Sequence, residues 1–510
     1  MAGRIVFRLP KLTDRFPFAG PRARPSALLG ALRGGIPHAA AALFRAPLLR
    51  APQFRAAQFR APLLSATLLL AVLLPPDAAL AQVSTARPGD GTAGSPLAAK
   101  IDALVEEVNP EVVAWRRDIH AHPELGNREF RTSALVADHL RRLGMEVRTG
   151  IAHTGVVGIL RGGRPGPVVA LRADMDALPV KEMVDLPFAS TVTTEYNGRE
   201  VGVMHACGHD NHVAILMGTA EVLARVRDRL PGTIVFLFQP AEEGPPAGED
   251  GGAHLMIEEG ALDDPAPEAI FGLHVMPGPV GTLTYRARGA MAAADGLYIK
   301  IVGRQTHGAM PWKGVDPIVV ASQVVLGLQT IVSRQADITK APAIVTVGSI
   351  QGGVRGNIIP DSVVMVGTIR TFDPDMQRSI HERIRRTAEG IAAAGGAEAE
   401  VRIGIGAPVT YNDPDLTRWA LPTLERAAGS ERVSETVPIT GAEDFAFYEQ
   451  KIPGLFFFLG GVPEGRTPYP NHSPRFYVDE GALPVGVRAM ANLAADYLFT
   501  HAGREVSQGG

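Results

Sequence analysis

HVAILMGTAEVLARVRDRLPGTIVFLFQP, residues 212–240, joins an amphipathic helical pattern to an apolar strand pattern. Residues 212–230 place apolar side chains along one helical face, and residues 233–240 form a continuous apolar run. Similar apolar runs occur at 168–174 and 269–275, with helical patterns between the runs. Near-continuous apolar strands that alternate with helices are typical of parallel sheets covered on both faces. The sequence therefore predicts an α/β domain built on a mainly parallel sheet.

The pattern changes near residue 292. From there the sequence predicts strand, helix, strand, strand, helix and strand, which is the order of the ferredoxin-like split unit. The predicted bounds are 297–303, 317–334, 343–350, 362–371, 375–395 and 398–405. A helical pattern at 414–427 and the apolar run at 454–460 then return to the alternation of helices and apolar strands seen at 168–275. We expect a catalytic domain of residues 99–291 and 407–500, interrupted by an inserted α+β lid and dimerisation domain of residues 292–406.

The N-terminal residues 1–81 have the features of a targeting segment. Arginine-rich sequence precedes an apolar run at 63–74, and a small-x-small motif ends at Ala81. The run is too short to span a bilayer comfortably. We expect cleavage after Ala81 and export to the periplasm or medium, with an uncleaved anchor or a transit peptide as alternatives. The Pro/Gly-rich residues 82–98 are predicted to be a linker.

Charge and cysteine content narrow the function classes. The formal net charge is −3 and no long basic stripe follows residue 81, which argues against a nucleic-acid partner. We expect no membrane partner once the signal is removed. The chain has a single cysteine, so an intramolecular disulfide framework is excluded. That cysteine, Cys207, is therefore a packing residue, a nucleophile or a metal ligand.

Chemically reactive side chains follow the predicted strands. In open α/β sheets, functional groups gather beyond the carboxyl ends of the strands. The strand ends deliver Asp174, Asp176, Glu242, Glu243 and His274. HACGHDNH, residues 205–212, adds Cys207 and three histidines in the loop that leads into a helix. We expect these groups to meet at one edge of the sheet.

Cysteine, histidine and glutamate together suit Zn²⁺, or Mn²⁺ where oxygen ligands dominate. A thiolate can bridge two such ions, whose charge keeps it deprotonated. Glu242 and Glu243 are expected to point apart in an extended segment, so that one binds metal and the other moves a proton. Structural roles are the alternatives: a core thiol for Cys207, a solvated pair of glutamates, a core imidazole for His274, and turn residues for the aspartates.

Eight motifs occur in a fixed order along the chain. They are LRADMDALP, MHACGHDNH, FQPAEEG, GLHV, THGAMPWKGVDP, GGVRGNIIPD, TGAEDFAF and NHSPRF. Together they resemble the di-metal aminoacylase/carboxypeptidase family, in particular its hippurate hydrolases and indoleacetyl-amino-acid hydrolases. The resemblance extends from about Leu104 to Leu498, and HAHPELGNREF, residues 120–130, resembles the same subgroup. It implies an amidohydrolase with two divalent ions per subunit that cleaves N-acyl or N-aroyl amino acids to a carboxylic acid and an amino acid.

The resemblance also implies roles for individual residues. The implied metal ligands are Cys207, as the bridge, with His209, Glu243, His274 and His472. Glu242 matches the general base, and Asp176 matches an aspartate that orients a ligand. Asp174 stands where other branches of the family place a metal-binding histidine.

Residues of the inserted domain complete the implied site. His307 resembles a lid histidine that stabilises the oxyanion, often in the active site of the partner subunit. Asn357 resembles a lid group that contacts substrate. Trp312 departs from the pattern, because many subgroup members have a second histidine there. An open edge strand in the lid sheet favours a homodimer through this domain.

Three other functions fit parts of the sequence. A metallo-dipeptidase or carboxypeptidase of the same family would use the same ligands on another substrate. A thiol hydrolase would use Cys207 as nucleophile with a neighbouring histidine as base, but would leave the strand-end glutamates unexplained. A non-catalytic binding protein on a hydrolase scaffold would not be expected to keep Glu242.

Overall fold

The computed structural model describes residues 94–503; the predicted targeting segment and most of the predicted linker lie outside these residues. The described helices are α1 (Ala98–Ala121), α2 (Phe130–Arg142), α3 (His209–Ala224), α4 (Gly252–Glu258), α5 (Pro317–Thr330), α6 (Pro374–Ala394), α7 (Pro414–Ala428), α8 (Ala446–Glu449) and α9 (Leu483–His501). The first nine strands are β1 (Glu146–Ile151), β2 (Gly155–Arg161), β3 (Arg164–Asp174), β4 (Thr193–Tyr196), β5 (Arg199–Gly202), β6 (Pro231–Gln239), β7 (Ala269–Pro279), β8 (Leu283–Tyr285) and β9 (Arg288–Met291). The others are β10 (Ala293–Val302), β11 (Thr306–His307), β12 (Ala343–Gly352), β13 (Ile358–Ile359), β14 (Ser362–Thr371), β15 (Glu398–Ile405), β16 (Thr410–Asn412), β17 (Val433–Glu435) and β18 (Gly454–Val462).

An eight-stranded sheet forms the centre of the larger part of the fold. Its strand order is β1-β2-β6-β3-β7-β18-β8-β17. The central strands β6, β3, β7 and β18 are parallel, whereas β1, β2 and β6 pair antiparallel at one side and β18 pairs antiparallel with β8. The predicted α/β class with a mainly parallel sheet is confirmed.

Burial on both faces explains why the central strands are apolar throughout. Helices α1, α3 and α9 pack with one another on one face of the sheet. Helices α4 and α8 pack on the other face, where Phe445, Phe456 and Phe458 share a buried cluster. A strand with helices on both sides has no solvent-facing positions, so the alternating pattern of a half-exposed strand is lost.

A four-stranded antiparallel sheet follows, in the order β12-β14-β10-β15. Helices α5 and α6 cover one of its faces with a separate buried cluster that includes Leu297, Val324 and Ile384. The order of elements along the chain is the predicted strand, helix, strand, strand, helix, strand. The domain boundaries at 292 and 406, and the role of this part as a lid, stay predictions.

Some element bounds differ from the sequence-based expectation. The helix predicted over 212–230 begins at His209 and ends at Ala224, and a 3₁₀ turn at Arg227–Arg229 precedes β6. The first turn of α3 therefore contains the second half of HACGHDNH, which was expected to be loop. Within the predicted linker of residues 82–98, Leu97 is fully buried and α1 begins at Ala98.

Candidate metal centre

The strand ends and the start of α3 bring the predicted ligands together. Asp174 is the last residue of β3, and the turn carrying Glu242 and Glu243 directly follows β6. His274 lies on β7, and His472 lies in the loop after β18. The structure assembles five predicted ligands: Cys207, His209, Glu243, His274 and His472.

Two sets of three ligands share the Cys207 sulfur. The ligand atoms of Cys207, His209 and His274 lie within 4.8 Å of one another, and so do those of Cys207, Glu243 and His472. The Cys207 Sγ is 3.3 Å from His274 Nε2, and His472 Nε2 is 2.8 Å from Glu243 Oε1. A sulfur common to two sets is the arrangement that a thiolate bridging two divalent ions requires.

In two of the histidines, a hydrogen bond to one ring nitrogen leaves the other ring nitrogen available as a metal ligand. The Nδ1–H of His274 donates to the Val275 carbonyl at 2.8 Å, so the His274 Nε2 lone pair faces Cys207. His209 Nδ1 is 3.3 Å from Asp176 Oδ1, and His209 Nε2 is buried without a hydrogen-bond partner. A buried polar atom without a partner is costly, and a metal ion would satisfy it. The donor set therefore fits a metal centre.

The electrostatics of the ligands agree with that assignment. Burial raises the pKa of the Cys207 thiol, so a cation is needed to hold it as thiolate. Burial, together with the neighbouring His212, lowers the pKa of His274 well below its ordinary value, which keeps the imidazole neutral. Burial raises the pKa of Glu243, but His472 and His209 outweigh it and the net shift is downward. A reactive cysteine nucleophile would instead need a lowered thiol pKa, so the thiol-hydrolase alternative loses support.

Asp176 holds the turn that carries the two glutamates. Its carboxylate accepts the backbone N–H of Glu242 at 3.1 Å and that of Glu243 at 3.0 Å. The expectation that these glutamates lie in an extended segment is wrong, because Gly244 N–H donates to the Ala241 carbonyl and closes a turn. The turn lets Asp176 bind two successive N–H groups while it also contacts His209, as the predicted orienting role requires.

Glu242 and Glu243 have different surroundings within this turn. Glu242 Oε2 is 3.9 Å from His209 Nε2, and its side chain also approaches Asp174 and Glu443. Burial, followed by the charges of Glu443 and Glu243, raises the pKa of Glu242 well above its ordinary value. A carboxyl group with a raised pKa takes up a proton readily, which is the property of a general base that later acts as acid.

Asp174 is occupied by protein partners rather than presented as a free ligand. Its Oδ2 accepts from Arg172 at 2.7 Å, and its Oδ1 is 2.5 Å from His212 Nδ1. The other ring nitrogen of His212 accepts the N–H of Val275 at 2.8 Å. The Asp174–His212 pair therefore fixes the backbone of β7 next to His274.

Sequence reasoning missed the roles of Arg172 and Glu443. The Arg172 guanidinium binds Gln239, Asp174, Glu443 and Asp444 at 2.7–3.0 Å, and its side chain is fully buried. Both residues lie in the quoted motifs LRADMDALP and TGAEDFAF. A long cation inside an otherwise apolar strand was the signal that could have identified Arg172.

A cavity of about 460 Å³ opens onto the ligands. Its wall combines Cys207, Glu242, Glu243, His274 and His472 with Met276, Met291, Ile439, Ala442, Asn471 and others. Asn471 donates its side-chain N–H to the carbonyls of Cys207 and Val275, so it ties the His472 loop to the other ligand segments. The cavity thus places a mainly apolar wall beside a polar metal centre.

The predicted lid residues lie apart from this cavity. His307 ends β11 and Asn357 directly precedes β13, and the N–H of Gly308 donates to the Asn357 carbonyl at 2.8 Å. Both are exposed, and neither is among the residues lining the cavity. His307 Nδ1 accepts the Ala309 N–H at 3.0 Å, which leaves Nε2–H as an outward donor. Trp312 is also exposed nearby, at 75% of its surface.

Comparison with known proteins identifies the family. The sequence of residues 170–496 matches peptidase family M20/M25/M40. The chain belongs to this family. Membership places it among metal-dependent hydrolases of amide bonds, and the predicted resemblance to the di-metal aminoacylase/carboxypeptidase family is confirmed.

Individual relatives of this M20-family chain cover nearly all of its described part. Thermostable carboxypeptidase 1 of Saccharolobus solfataricus is 41% identical over 405 residues, which are 79% of this chain and 99% of that protein. IAA-amino acid hydrolase ILR1-like 2 of Arabidopsis thaliana is 39% identical over 399 residues, 76% of this chain and 87% of that protein. The solved structure of the Bacillus subtilis YXEP protein, a dinuclear metal-binding peptidase from the M20 family, is 37% identical with a TM-score of 0.64, and the match covers 78% of this chain and 99% of that structure.

Replacement of Cys207 by serine is expected to lower bound metal and activity together. The change removes the sulfur shared by both ligand sets and leaves a neutral oxygen, which binds zinc poorly. Metal content of purified Cys207→Ser protein, measured beside kcat, checks this. Full metal content with the full rate would contradict the ligand assignment.

Proposed function

We propose that this chain is an exported two-metal amidohydrolase that cleaves N-acyl or N-aroyl amino acids to a carboxylic acid and a free amino acid. The observation that carries the proposal is the pair of ligand sets sharing the Cys207 sulfur, with Glu242 beside them in one cavity. The similarity to an IAA-amino acid hydrolase supports the substrate class, and the similarity to a dinuclear metal-binding peptidase supports the metal number.

The ligand set would hold zinc or manganese ions, which supply Lewis acidity to water and to the scissile carbonyl. Glu242 takes the proton of the attacking water, because its carboxylate lies beside the ligands without being required in either Cys207 set. The same carboxyl group then protonates the departing amine. Asp176 keeps Glu242 in place through the backbone N–H, and the outward Nε2–H of His307 would donate to the tetrahedral oxyanion.

The cavity wall favours an apolar acyl group. Met276, Met291 and Ile439 line it together with the ligands, and methionine side chains adapt to groups of different shape. We expect benzoyl-, acetyl- or indoleacetyl-amino acids to have higher kcat/KM than plain dipeptides. The measurement is a panel of these substrates with the metal-loaded enzyme. A preference for dipeptides would instead support the carboxypeptidase alternative, which the similarity to thermostable carboxypeptidase 1 favours.

We further propose a homodimer formed through α5 and β12. In the four-stranded sheet β12 is an edge strand, and an unpaired edge invites another copy. The adjoining helix exposes Leu326 at 70% and the strand exposes Ile350 at 51%. Residues Pro317–Gln335 have a mean hydropathy of 1.3 but only a third of them are buried in one chain. A second copy would cover this apolar surface.

Mixing two inactive variants is expected to restore activity if His307 acts in the partner's site. His307→Ala protein lacks the lid donor and Glu242→Gln protein lacks the base, so a mixed dimer has one site with both groups intact. Activity is measured after subunit exchange, with mixed dimers verified by two affinity tags. Mixed dimers as inactive as both parents would rule out action in trans.

A further inference from the structure

The HPELGNREF motif, residues 122–130, has no part in the chemistry described above, yet it contains a fully buried acid. Glu129 has no exposed surface. Its Oε1 accepts the backbone N–H of Ala241 at 2.9 Å, and its Oε2 is 2.5 Å from the Thr154 hydroxyl. Ala241 immediately precedes Glu242, so this acid is hydrogen-bonded to the turn that carries the base.

Three successive N–H groups of that turn are bound by two buried acids. Glu129 takes the N–H of Ala241, and Asp176 takes those of Glu242 and Glu243. Ala241 has φ = 51°, in the left-handed region that a residue with a Cβ avoids. A backbone conformation of this kind persists only where surrounding contacts impose it, and such positions cluster at functional sites.

The motif also packs directly on the turn. At Gly126 an added Cβ would lie 3.0 Å from the Gly244 carbonyl oxygen and 3.2 Å from the Ala241 Cα. Glycine therefore permits a backbone-to-backbone approach that a larger residue would push apart. Glu129 is itself fixed at the start of α2, where its carbonyl accepts the N–H of Ser133. The helix thus provides a rigid support from which the Glu129 side chain reaches the turn.

We propose that Glu129 is a positioning residue of the hydrolytic site, which holds the Ala241 N–H and thereby sets the direction of Glu242 and Glu243. The inference rests on the proposed function, because it assigns these glutamates to the base and the metal ligand. Burial, then the charge of Asp176, raises the pKa of Glu129 to about 8. A neutral acceptor of the same shape therefore suits the site, which makes glutamine the informative replacement.

The test compares Glu129→Ala with Glu129→Gln. Glu129→Ala is expected to lower kcat for N-benzoylglycine by about 10- to 100-fold and to weaken Zn²⁺ binding by about tenfold or more, with KM changed by less than about threefold. Glu129→Gln keeps an acceptor for Ala241 N–H and is expected to stay within about threefold of wild type. Zn²⁺ affinity is measured by calorimetry on chelator-stripped protein, independently of turnover.

Glu124→Ala is the matched control. Glu124 lies in the same motif and accepts the N–H groups of Arg131 and Thr132, so its loss removes two hydrogen bonds from the first turn of α2 and none from Ala241. We expect a lower Tm with kcat per folded molecule near wild type. If Glu129→Ala does not fold, Glu129→Asp replaces it, since a carboxylate one methylene shorter cannot keep both contacts.

Two outcomes would overturn the proposal. One is a Glu129→Ala (or Glu129→Asp) protein that behaves like the Glu124→Ala control, with a lower Tm but unchanged kcat and Zn²⁺ affinity. The other is a Glu129→Gln protein as impaired as Glu129→Ala. A wild-type protein that turns over no N-acyl amino acid would refute the proposed function instead, and the Zn²⁺ titrations would still report on Glu129.

Discussion

Replacing Glu242 by glutamine is expected to lower kcat by about 10²-fold or more while bound metal stays at the wild-type level. Glutamine keeps the size of the side chain but cannot accept the proton of the attacking water. Glu242 is outside both ligand sets that share Cys207, so its replacement leaves those donors in place. The measurements are kcat on an N-acyl amino acid and metal content of the purified protein.

The same replacement at the next residue is the control. Glu243 belongs to the set with Cys207 and His472, so Glu243→Gln is expected to lose metal before it loses proton transfer. Both variants keep the backbone N–H that binds Asp176, which removes a change in the turn as an explanation. Equal loss of metal in the two proteins would contradict the division of roles between adjacent glutamates.

Arg172→Met is expected to lower the free energy of unfolding by about 3–5 kcal/mol, because it leaves the carboxylate partners of Arg172 buried without a counter-charge. The side chains of Arg172, Asp174 and Glu443 are at most 1% exposed, and no solvent replaces the lost guanidinium. Arg161→Met is the matched control: Arg161 pairs with Glu146 on the surface, where a lost ion pair costs less than about 1 kcal/mol. Denaturant unfolding of both variants checks the difference. A cost at Arg172 no larger than at Arg161 would refute it.

The pH dependence of stability gives this prediction a second signature. Burial raises the pKa of Glu443 to about 8, although Arg172 opposes the shift. Because this value exceeds the ordinary value of 4.5, the stability that Glu443 contributes is present below pH 4.5 and lost as the pH rises through about 8. Without Arg172 the pKa rises further. The stability of Arg172→Met protein is therefore expected to keep falling at higher pH than that of wild type.

The central strands were predictable because burial on both faces of the sheet selects runs of apolar residues. β6, β7 and β18 are covered on both faces, so the apolar runs IVFLF, AIFGL and LFFFL within them lack the polar alternation of a half-exposed strand. β1 is a partly exposed edge strand, and its sequence EVRTGI carries no such run. An edge strand gains its conformation from its neighbour rather than from its own pattern, which is why β1 was missed.

The C-terminal end of α3 shows a different limit of prediction from apolar periodicity. Val226 and Leu230 continue the apolar spacing of the helix, and both are buried. The helix nevertheless ends at Ala224, and these two side chains fill the core from the residues on either side of the 3₁₀ turn Arg227–Arg229. Apolar periodicity reports which side chains are buried, and it does not by itself report the backbone conformation that buries them.

The grouping of the candidate ligands was predictable from residue type and position, whereas the residues that support them were not. Thiol, imidazole and carboxylate groups at strand ends have few purely structural uses in that combination. Arg172 and Glu443 are 271 positions apart, and no local pattern connects them. Glu129 likewise depends on a contact with a turn that is distant in sequence. Such partners are defined only when the sheet brings their segments together.

β18 lies between β7 and β8 in the large sheet, although the chain reaches it only after the whole four-stranded sheet. During synthesis, the edge of β7 that pairs with β18 therefore stays unpaired until the intervening segment has been made. His472 follows β18 and is the last of the five predicted ligands to appear. A nascent chain that ends before β18 holds Cys207, His209 and His274 but lacks the partner of Glu243. The full set of candidate ligands is thus assembled only when the chain has been made through His472, so a prematurely released chain lacks part of the proposed metal site.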